Sequence, residues 1–282
     1  MTRMRFTITF CSIVLAGVAY AANASEECSR ETLQKVADTY VKAQKAGDAT
    51  KLPLAAGSSY AQNDKAMDVA KGVLAEALTI DFTRSFYDTK QCAAFTELVA
   101  ATNAHPYVIH TRMEATKKGK VSKMESRVTN AGDWAFNATK YLGFTRDEKW
   151  DEIPKDKRDT REVIQAAADA YLNQRGDPAL EVPEGTPCAR LEGGMYTGSR
   201  NPEGNTCRMP AFPQKLKVGH RRYVIDESIG AVDVFNDFPW LDAGLGPDGV
   251  TPSSNQMRVE DGKIRYIHEV TVCTTEKCGR GR

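Results

Sequence analysis

The chain has 282 residues, and its 38 lysine and arginine residues almost balance 37 aspartate and glutamate residues, giving a net charge of +1 at pH 7. This length allows two domains of ordinary size, each able to bury its own core. The near balance of charge excludes the strongly basic surface that is typical of a nucleic-acid-binding protein.

Residues 1–24 have the pattern of a cleaved signal peptide. Arg3 and Arg5 precede an apolar run over residues 6–18, and small residues continue from there to Ala24. The apolar run is too short for an ordinary membrane span. The pattern therefore predicts a secreted or periplasmic protein with no stable membrane span.

Cleavage of this segment would remove Cys11 and leave six cysteines. An even number of cysteines in an exported chain favours disulfide bonds. A zinc site is the alternative, but the chain has no C-x-x-C motif and only four scattered histidines, so we expect no metal. Two of the preferred pairs are local in sequence and the third follows by elimination: Cys188 with Cys207, Cys273 with Cys278, and Cys28 with Cys92.

Two parts of the chain repeat one pattern. Tyr40 and Tyr171 occupy the same position in two similar helical segments, and Leu52-Pro53 and Val182-Pro183 follow them at nearly the same distance. Later in each part a glycine turn, at Gly119 and Gly262, separates two segments with strand character. This repetition predicts two tandem copies of one α+β unit.

The first copy is expected over residues 27–143. It begins with a predicted helix at 30–46, whose apolar residues recur every three or four positions and which Gly47 ends. Segments rich in β-branched and aromatic residues predict strands at 77–87, 92–100, 107–116 and 121–129. Residues 144–160 carry many charges of both signs, which predicts a linker.

The second copy is expected over residues 161–275, with a tail at 276–282. A helix is predicted at 163–174, and strands at 221–226, 231–238, 255–259 and 264–273. Asp261-Gly262 is a strong signal for a hairpin between the last two strands. The long glycine-containing loop at 239–254 is predicted to cover the mouth of a pocket.

These motifs resemble the nuclear-transport-factor-2-like superfamily, which includes SnoaL-like cyclases and ketosteroid isomerase. The resemblance rests on the helix pattern A-x-x-Y-x-x-A-x-x-x-G-D, followed by Leu52-Pro53, and on the segment from Met257 to Val270. Further motifs around Tyr60, at 188–197 and at 221–227 are similar to an exported tandem group of mostly unknown function. The resemblance implies an α+β fold of two tandem cone-shaped units, each a curved, mostly antiparallel sheet wrapped on an N-terminal helix.

The superfamily fold implies an apolar pocket with a few polar groups at its mouth, which suits a small hydrophobic or aromatic ligand. A lyase or isomerase that moves a proton without any cofactor is the function we expect, acting on an aromatic, polyketide or terpenoid substrate. The alternative is a non-catalytic protein that binds a small molecule or a protein partner. The sequence is compatible with a homo-oligomer.

His268 is the first catalytic candidate. Regular alternation from Ile264 to Val270 would place His268 and Tyr266 on the more apolar face of their strand, directed into the pocket. The alternative is a core histidine that a neighbouring hydroxyl satisfies. At the corresponding position the first copy has Glu125, so the two copies are not expected to have equivalent sites.

Asp226 and Tyr223 are the other catalytic candidates, as a base and as a donor to an oxyanion. Asp226 shares a strand face with Arg222, and a structural ion pair is the alternative role for this aspartate. Glu192 precedes Gly193-Gly194, where a bend or a close backbone approach is expected. The residues predicted to contact a ligand are Tyr171, Tyr196, Glu192, Arg222, Tyr266, Tyr60 and Asn63.

Overall fold

The computed structural model describes residues 28–210, 215–239, 250–275 and 278. The predicted signal peptide and most of the predicted loop at 239–254 lie outside these residues. Residues 250–254, at the end of that predicted loop, instead begin a long strand.

The first unit is built on helix α1, Arg30–Ala46. The Ser29 hydroxyl accepts from the backbone N–H of Thr32 at the start of the helix, and Gly47 ends it with φ of 60°. A side chain at Gly47 would meet the backbone nitrogen of Ala77 at 2.5 Å, so both the conformation and the space require glycine. The apolar face of α1 packs on a sheet.

That sheet has six strands in the order β2-β1-β6-β5-β4-β3, and β1 runs parallel to β6 while the other neighbours are antiparallel. Its strands are β1 (Leu54–Gln62), β2 (Lys65–Ala66), β3 (Phe82–Asp88), β4 (Ala93–Ala100), β5 (Tyr107–Ala115) and β6 (Val121–Thr129). Helix α2, Ala138–Asp147, follows and extends into the predicted linker.

The second unit repeats this plan. Helix α3, Arg161–Asn173, starts where the Thr160 hydroxyl accepts from the backbone N–H of Val163. Its sheet has the order β8-β7-β12-β11-β10-β9, with β7 parallel to β12. The strands are β7 (Glu184–Glu192), β8 (Met195–Tyr196), β9 (Gly219–Asp226), β10 (Ala231–Pro239), β11 (Val250–Glu260) and β12 (Lys263–Thr271).

Each sheet packs on its own helix through one face and on the other sheet through the opposite face. Phe86 and Phe95 of the first sheet form one buried cluster with Val224 and Phe235 of the second. A buried layer between two sheets is a stable arrangement because it covers a face of each at once. We call this layer the inter-sheet layer.

Two reciprocal ion pairs join the units. Arg30 at the start of α1 donates to both carboxylate oxygens of Asp226, at 2.8 and 2.9 Å. Arg161 at the start of α3 donates to both oxygens of Asp88, at 2.8 and 2.7 Å. Each copy thus contributes the same elements to the contact, as the two subunits of a symmetric dimer do.

Three disulfides are present, and they join the pairs preferred from the sequence: Cys28–Cys92, Cys188–Cys207 and Cys273–Cys278. Such bonds persist in an oxidising compartment. The described residues contain no group of three or more acidic, histidine or cysteine side chains arranged to hold a metal ion. Among the helices of the described ranges, none has the length and apolar character needed to cross a membrane.

Candidate functional site

The candidate site lies in the layer between α3 and its sheet. We call this layer the second interior. Met257 of β11 and Ile267 of β12 belong to the buried cluster that also includes Ile164 of α3. Since side chains alternate along a strand, Asn255 and Glu269 face α3 as well. The equivalent layer between α1 and the first sheet is called the first interior.

Two buried ion pairs lie in the second interior. Nη2 of Arg175, just after α3, is 3.3 Å from Oε2 of Glu269. Nε of Arg190 is 2.8 Å from Oε1 of Glu192, both on β7. The Arg175 guanidinium also lies over the Tyr171 ring, 4.5 Å from its centroid. Pairing of this kind is what makes four buried charges tolerable.

The same surroundings shift two ionisation equilibria. Burial and the nearby Glu192 carboxylate raise the pKa of Glu269 above its ordinary value, although Arg175 opposes this shift. Burial raises the pKa of the Tyr171 phenol to about 12, so its hydroxyl remains a donor at neutral pH. A carboxylate with a raised pKa and a phenolic donor in one interior are groups suited to proton transfer.

Within the part of the chain that the structure describes, several buried polar atoms of the second interior have no hydrogen-bond partner. They include the Tyr171 hydroxyl, Nε of Arg175 and both polar atoms of the Asn255 amide. Asn236 Oδ1 and Thr251 Oγ1 are likewise unpartnered, and alternation from Val234 and Met257 places both on the face directed to α3. Buried polar atoms are nearly always paired, so this concentration needs an explanation.

The first interior has hydrogen bonds at the positions that correspond to Tyr171, Asn255 and Glu269, while Oε1 of Gln44, at the position of Arg175, has no partner among the described residues. The Tyr40 hydroxyl is 2.8 Å from Oγ1 of Thr111, which in turn is 3.0 Å from Oγ of Ser126. Thr111 pairs with Ser126 across β5 and β6, just as Asn255 pairs with Glu269 across β11 and β12. The hydrogen-bonded hydroxyl groups of the first copy are therefore replaced in the second copy by the unpaired polar atoms of Tyr171 and Asn255 and by the Glu269 carboxylate.

His268 does not face the second interior, which differs from the regular alternation expected from the sequence. The register of β11 and β12 shifts between Arg258 and Val259, so that Ile264 faces α3 while Tyr266 and His268 face the other sheet. In the inter-sheet layer, Nε2 of His268 is 2.6 Å from Oε2 of Glu148, and Nδ1 is 3.1 Å from Oε1 of Glu97.

The two carboxylates control the charge of His268. Burial alone would lower its pKa, but Glu148 and Glu97 together raise it to about 9. The Tyr141 hydroxyl donates to the same Glu97 oxygen at 2.6 Å, and Arg84 pairs with the other at 3.0 Å. His268 thus links α2 and both sheets within a largely buried ionic network.

Asp226 and Arg222 lie on the strand face directed to the other sheet, whereas Tyr223 packs at the edge of the second interior. Asp226 is occupied by Arg30 and accepts from the backbone N–H groups of Tyr87 and Ser228. Arg222 does not pair with Asp226, because its Nε lies 3.0 Å from Glu125 of the first unit. The Tyr223 hydroxyl donates to Oδ1 of Asp169 at 2.7 Å, on the outer part of α3.

The other predicted ligand contacts are dispersed. Tyr60 lines a cavity of about 260 Å³ in the first unit and donates to Gln62. Both amide atoms of Asn63 bond the backbone of Val128. Tyr196 stacks on Phe144, with 4.5 Å between ring centroids, and Tyr266 stacks on Trp150 at 5.9 Å.

Of the predicted site residues, Tyr171 and Glu192 lie together in the second interior, and Tyr223 packs at its edge. The residues that complete the cluster were not predicted: Arg175, Arg190, Asn255 and Glu269. One signal in the sequence could have found Arg175, because it follows Tyr171 by four residues as Gln44 follows Tyr40, next to an apolar helix face. Glu192 is followed by the expected close approach, since a side chain at Gly193 would meet the Trp134 carbonyl oxygen at 2.5 Å.

Comparison with known proteins adds a family without an assigned activity. Residues 157–271 are similar to a family described as a domain of unknown function, DUF8021. The matched segment spans α3 and the sheet of the second unit, including the whole candidate site. No curated protein matches the chain.

Proposed function

We propose that the protein is an exported, cofactor-independent lyase or isomerase of the nuclear-transport-factor-2-like superfamily, with its site in the second interior. Two units with one strand order, each built on a helix, support this superfamily. Three disulfides support secretion or a periplasmic location. The substrate is a small oxygenated molecule that carries a carbonyl group.

The chemistry proposed is proton transfer next to that carbonyl. The Glu269 carboxylate takes a proton from the adjacent carbon, and the C–H electron pair moves into an enolate. The Tyr171 hydroxyl donates a hydrogen bond to the enolate oxygen, because its raised pKa keeps it protonated. Return of the proton from Glu269 to a carbon conjugated with the enolate completes an isomerisation. In an elimination the enolate electrons re-form the carbonyl and expel a hydroxyl from the β-carbon, which takes the proton from Glu269 and leaves as water.

The observation that carries this proposal is the buried carboxylate of Glu269 among unpaired polar atoms. Glu269 is 3 % exposed, and the Tyr171 hydroxyl and the Asn255 amide near it have no partners. A core built for stability alone would satisfy such groups or replace them with apolar side chains. A bound ligand that forms hydrogen bonds with these atoms would explain why they are unpaired in its absence.

One observation favours a non-catalytic binding protein as the second candidate. Glu269 already pairs with Arg175 at 3.3 Å, and a paired carboxylate is held less free to accept a proton. In that case the second interior would bind the same kind of molecule without changing it.

Deuterium exchange distinguishes the two candidates. Purified protein is incubated in D₂O with small aldehydes and ketones, and NMR follows the loss of the proton next to the carbonyl. We expect enzyme-dependent exchange that falls at least about 100-fold in Glu269→Gln, the size typical of removing a general base. Ser126→Ala, at the matched position of the first interior, should exchange at the wild-type rate.

Two results would contradict catalysis at this site. The first is exchange that persists in Glu269→Gln, and the second is a bound carbonyl compound that shows no exchange in the wild-type protein. The second result would favour the binding protein.

A further inference from the structure

We infer that the ligand of the second interior is a neutral, hydroxyl-rich carbonyl compound, a hydroxy ketone or hydroxy aldehyde, rather than an apolar or an ionised molecule. This inference rests on the proposed location of the site and goes beyond the apolar ligand that the superfamily resemblance implies. The unpaired atoms and the balance of charge carry it independently of the reaction.

The charges of the second interior cancel before any ligand binds. Arg175 pairs with Glu269, and Arg190 pairs with Glu192. Nη1 of Arg190 also donates to the carbonyl oxygens of Cys207 and Arg208. An ionised ligand would therefore bring a buried charge with no free counter-charge, which is strongly unfavourable.

The unpaired atoms include both donors and acceptors. The Tyr171 hydroxyl, Nε of Arg175 and the Asn255 amide nitrogen can donate, while the Asn255 and Asn236 amide oxygens can accept. A hydroxyl group can both donate and accept, and a carbonyl oxygen accepts from two donors. A molecule with both groups can thus satisfy atoms of each kind.

An apolar molecule would leave these atoms unpaired in a site from which it had excluded solvent. Each buried polar group left without a partner weakens the binding of such a molecule. The first interior shows the arrangement suited to apolar surroundings, since Tyr40, Thr111 and Ser126 bond one another there. The second interior lacks that closure at the same positions.

Titration calorimetry with three matched four-carbon probes tests the inference: erythrulose, a neutral hydroxy ketone; erythronate, the corresponding acid; and butanone, the corresponding apolar ketone. We expect erythrulose to bind at least tenfold more tightly than the other two. Tyr171→Phe and Asn255→Leu should each weaken erythrulose about tenfold, the effect of one lost hydrogen bond of about 1.4 kcal/mol.

Matched variants of the first interior, Tyr40→Phe and Thr111→Val, should bind erythrulose as the wild type does. Because Tyr171→Phe removes only an unpaired hydroxyl, it should stay folded and keep the test valid. Tighter binding of butanone or erythronate, unchanged affinity in both second-interior variants, or no binding of erythrulose would overturn the inference.

The test of the ligand class can be distinguished from the test of the proposed catalysis. Erythrulose that binds without deuterium exchange contradicts the proposed catalysis and supports the ligand class. Exchange on butanone but none on erythrulose contradicts the ligand class and supports the catalysis.

Discussion

The two interiors of this protein share a strand order and a helix position, yet they differ in how their polar groups are satisfied. In the first, Tyr40, Thr111 and Ser126 form a closed chain of hydrogen bonds. In the second, Tyr171 and Asn255 occupy the equivalent places without partners, and Glu269 replaces the serine. The proposed function assigns the site to the second copy and leaves the first as a scaffold.

The contacts that stabilise this protein and the groups proposed to bind its ligand lie in different parts of the chain. The inter-sheet layer and the reciprocal pairs of Arg30 and Arg161 fix the two units against each other. The unpaired groups of the second interior instead cost stability, which is common where a protein binds or reacts with a ligand. The comparison can be tested with substitutions at matched positions.

The largest effect is expected at Glu269. Glu269→Leu leaves the Arg175 charge buried without a partner, which should lower the free energy of unfolding by about 3–5 kcal/mol. The matched Ser126→Ala removes one neutral hydrogen bond and should cost about 1 kcal/mol. Urea denaturation of the two variants measures the difference.

A double variant provides the control for that experiment. Arg175→Met combined with Glu269→Leu removes both charges and should recover most of the lost stability. Two results would contradict this expectation: an equal loss of unfolding free energy in Glu269→Leu and Ser126→Ala, or no recovery of stability in the double variant. Either would mean that the buried charges of the second interior do not make it more sensitive to substitution than the first interior.

A smaller effect, dependent on pH, is expected from His268 in the inter-sheet layer. Its pKa is raised from 6.5 to about 9 by Glu148 and Glu97 against the effect of burial. The protonated form thus stabilises the folded state fully below pH 6.5, and this stability is lost as the pH rises through about 9. The stabilisation lost between these two pKa values is roughly 3 kcal/mol, at 1.36 kcal/mol for each pKa unit.

His268→Gln should remove this pH dependence of unfolding between pH 6.5 and 9 while leaving deuterium exchange in place. Thermal denaturation across that range, combined with the exchange assay, provides the measurement. If His268→Gln is folded but inactive, the site belongs to the inter-sheet layer, and the contrast between the interiors fails as an account of function.

The smallest effects are expected at the two tyrosines, and they should differ in sign. Tyr40→Phe removes a hydroxyl that is bonded to Thr111 and should destabilise the protein by about 1 kcal/mol. Tyr171→Phe removes an unpaired buried hydroxyl and should be neutral or stabilise by up to about 1 kcal/mol. Equal destabilisation in both variants, measured by urea denaturation, would show that the Tyr171 hydroxyl is satisfied after all.

The sequence predicted those features that depend on local patterns. The stripe of apolar residues around Tyr40 and the stop at Gly47 predicted α1 with its observed bounds. The cysteine spacing predicted two of the disulfides and left only one partner each for Cys28 and Cys92. The Asp261-Gly262 turn predicted the hairpin of β11 and β12.

Features that depend on long-range pairing were missed. The register shift beside Val259 places Ile264 on the opposite face of the strand from Tyr266. No residue in that segment predicts the shift. Helix α2 begins at Ala138, before a stretch whose dense charges suggested a solvated linker, because Tyr141 packs into the inter-sheet layer. The cluster of Arg175 and Glu269 joins residues far apart in sequence, so strand pairing had to be known first.

The stoichiometry of ligand binding tests the central claim most directly. Native mass spectrometry of the protein with erythrulose counts the molecules held by each chain. One molecule per chain is predicted for the wild type and for Thr111→Val. A clearly smaller fraction of loaded chains is predicted for Asn255→Leu at the same concentration, because its affinity should be about tenfold lower. Two molecules per chain, or one molecule retained in Asn255→Leu and lost in Thr111→Val, would contradict the claim that the second interior alone is the site.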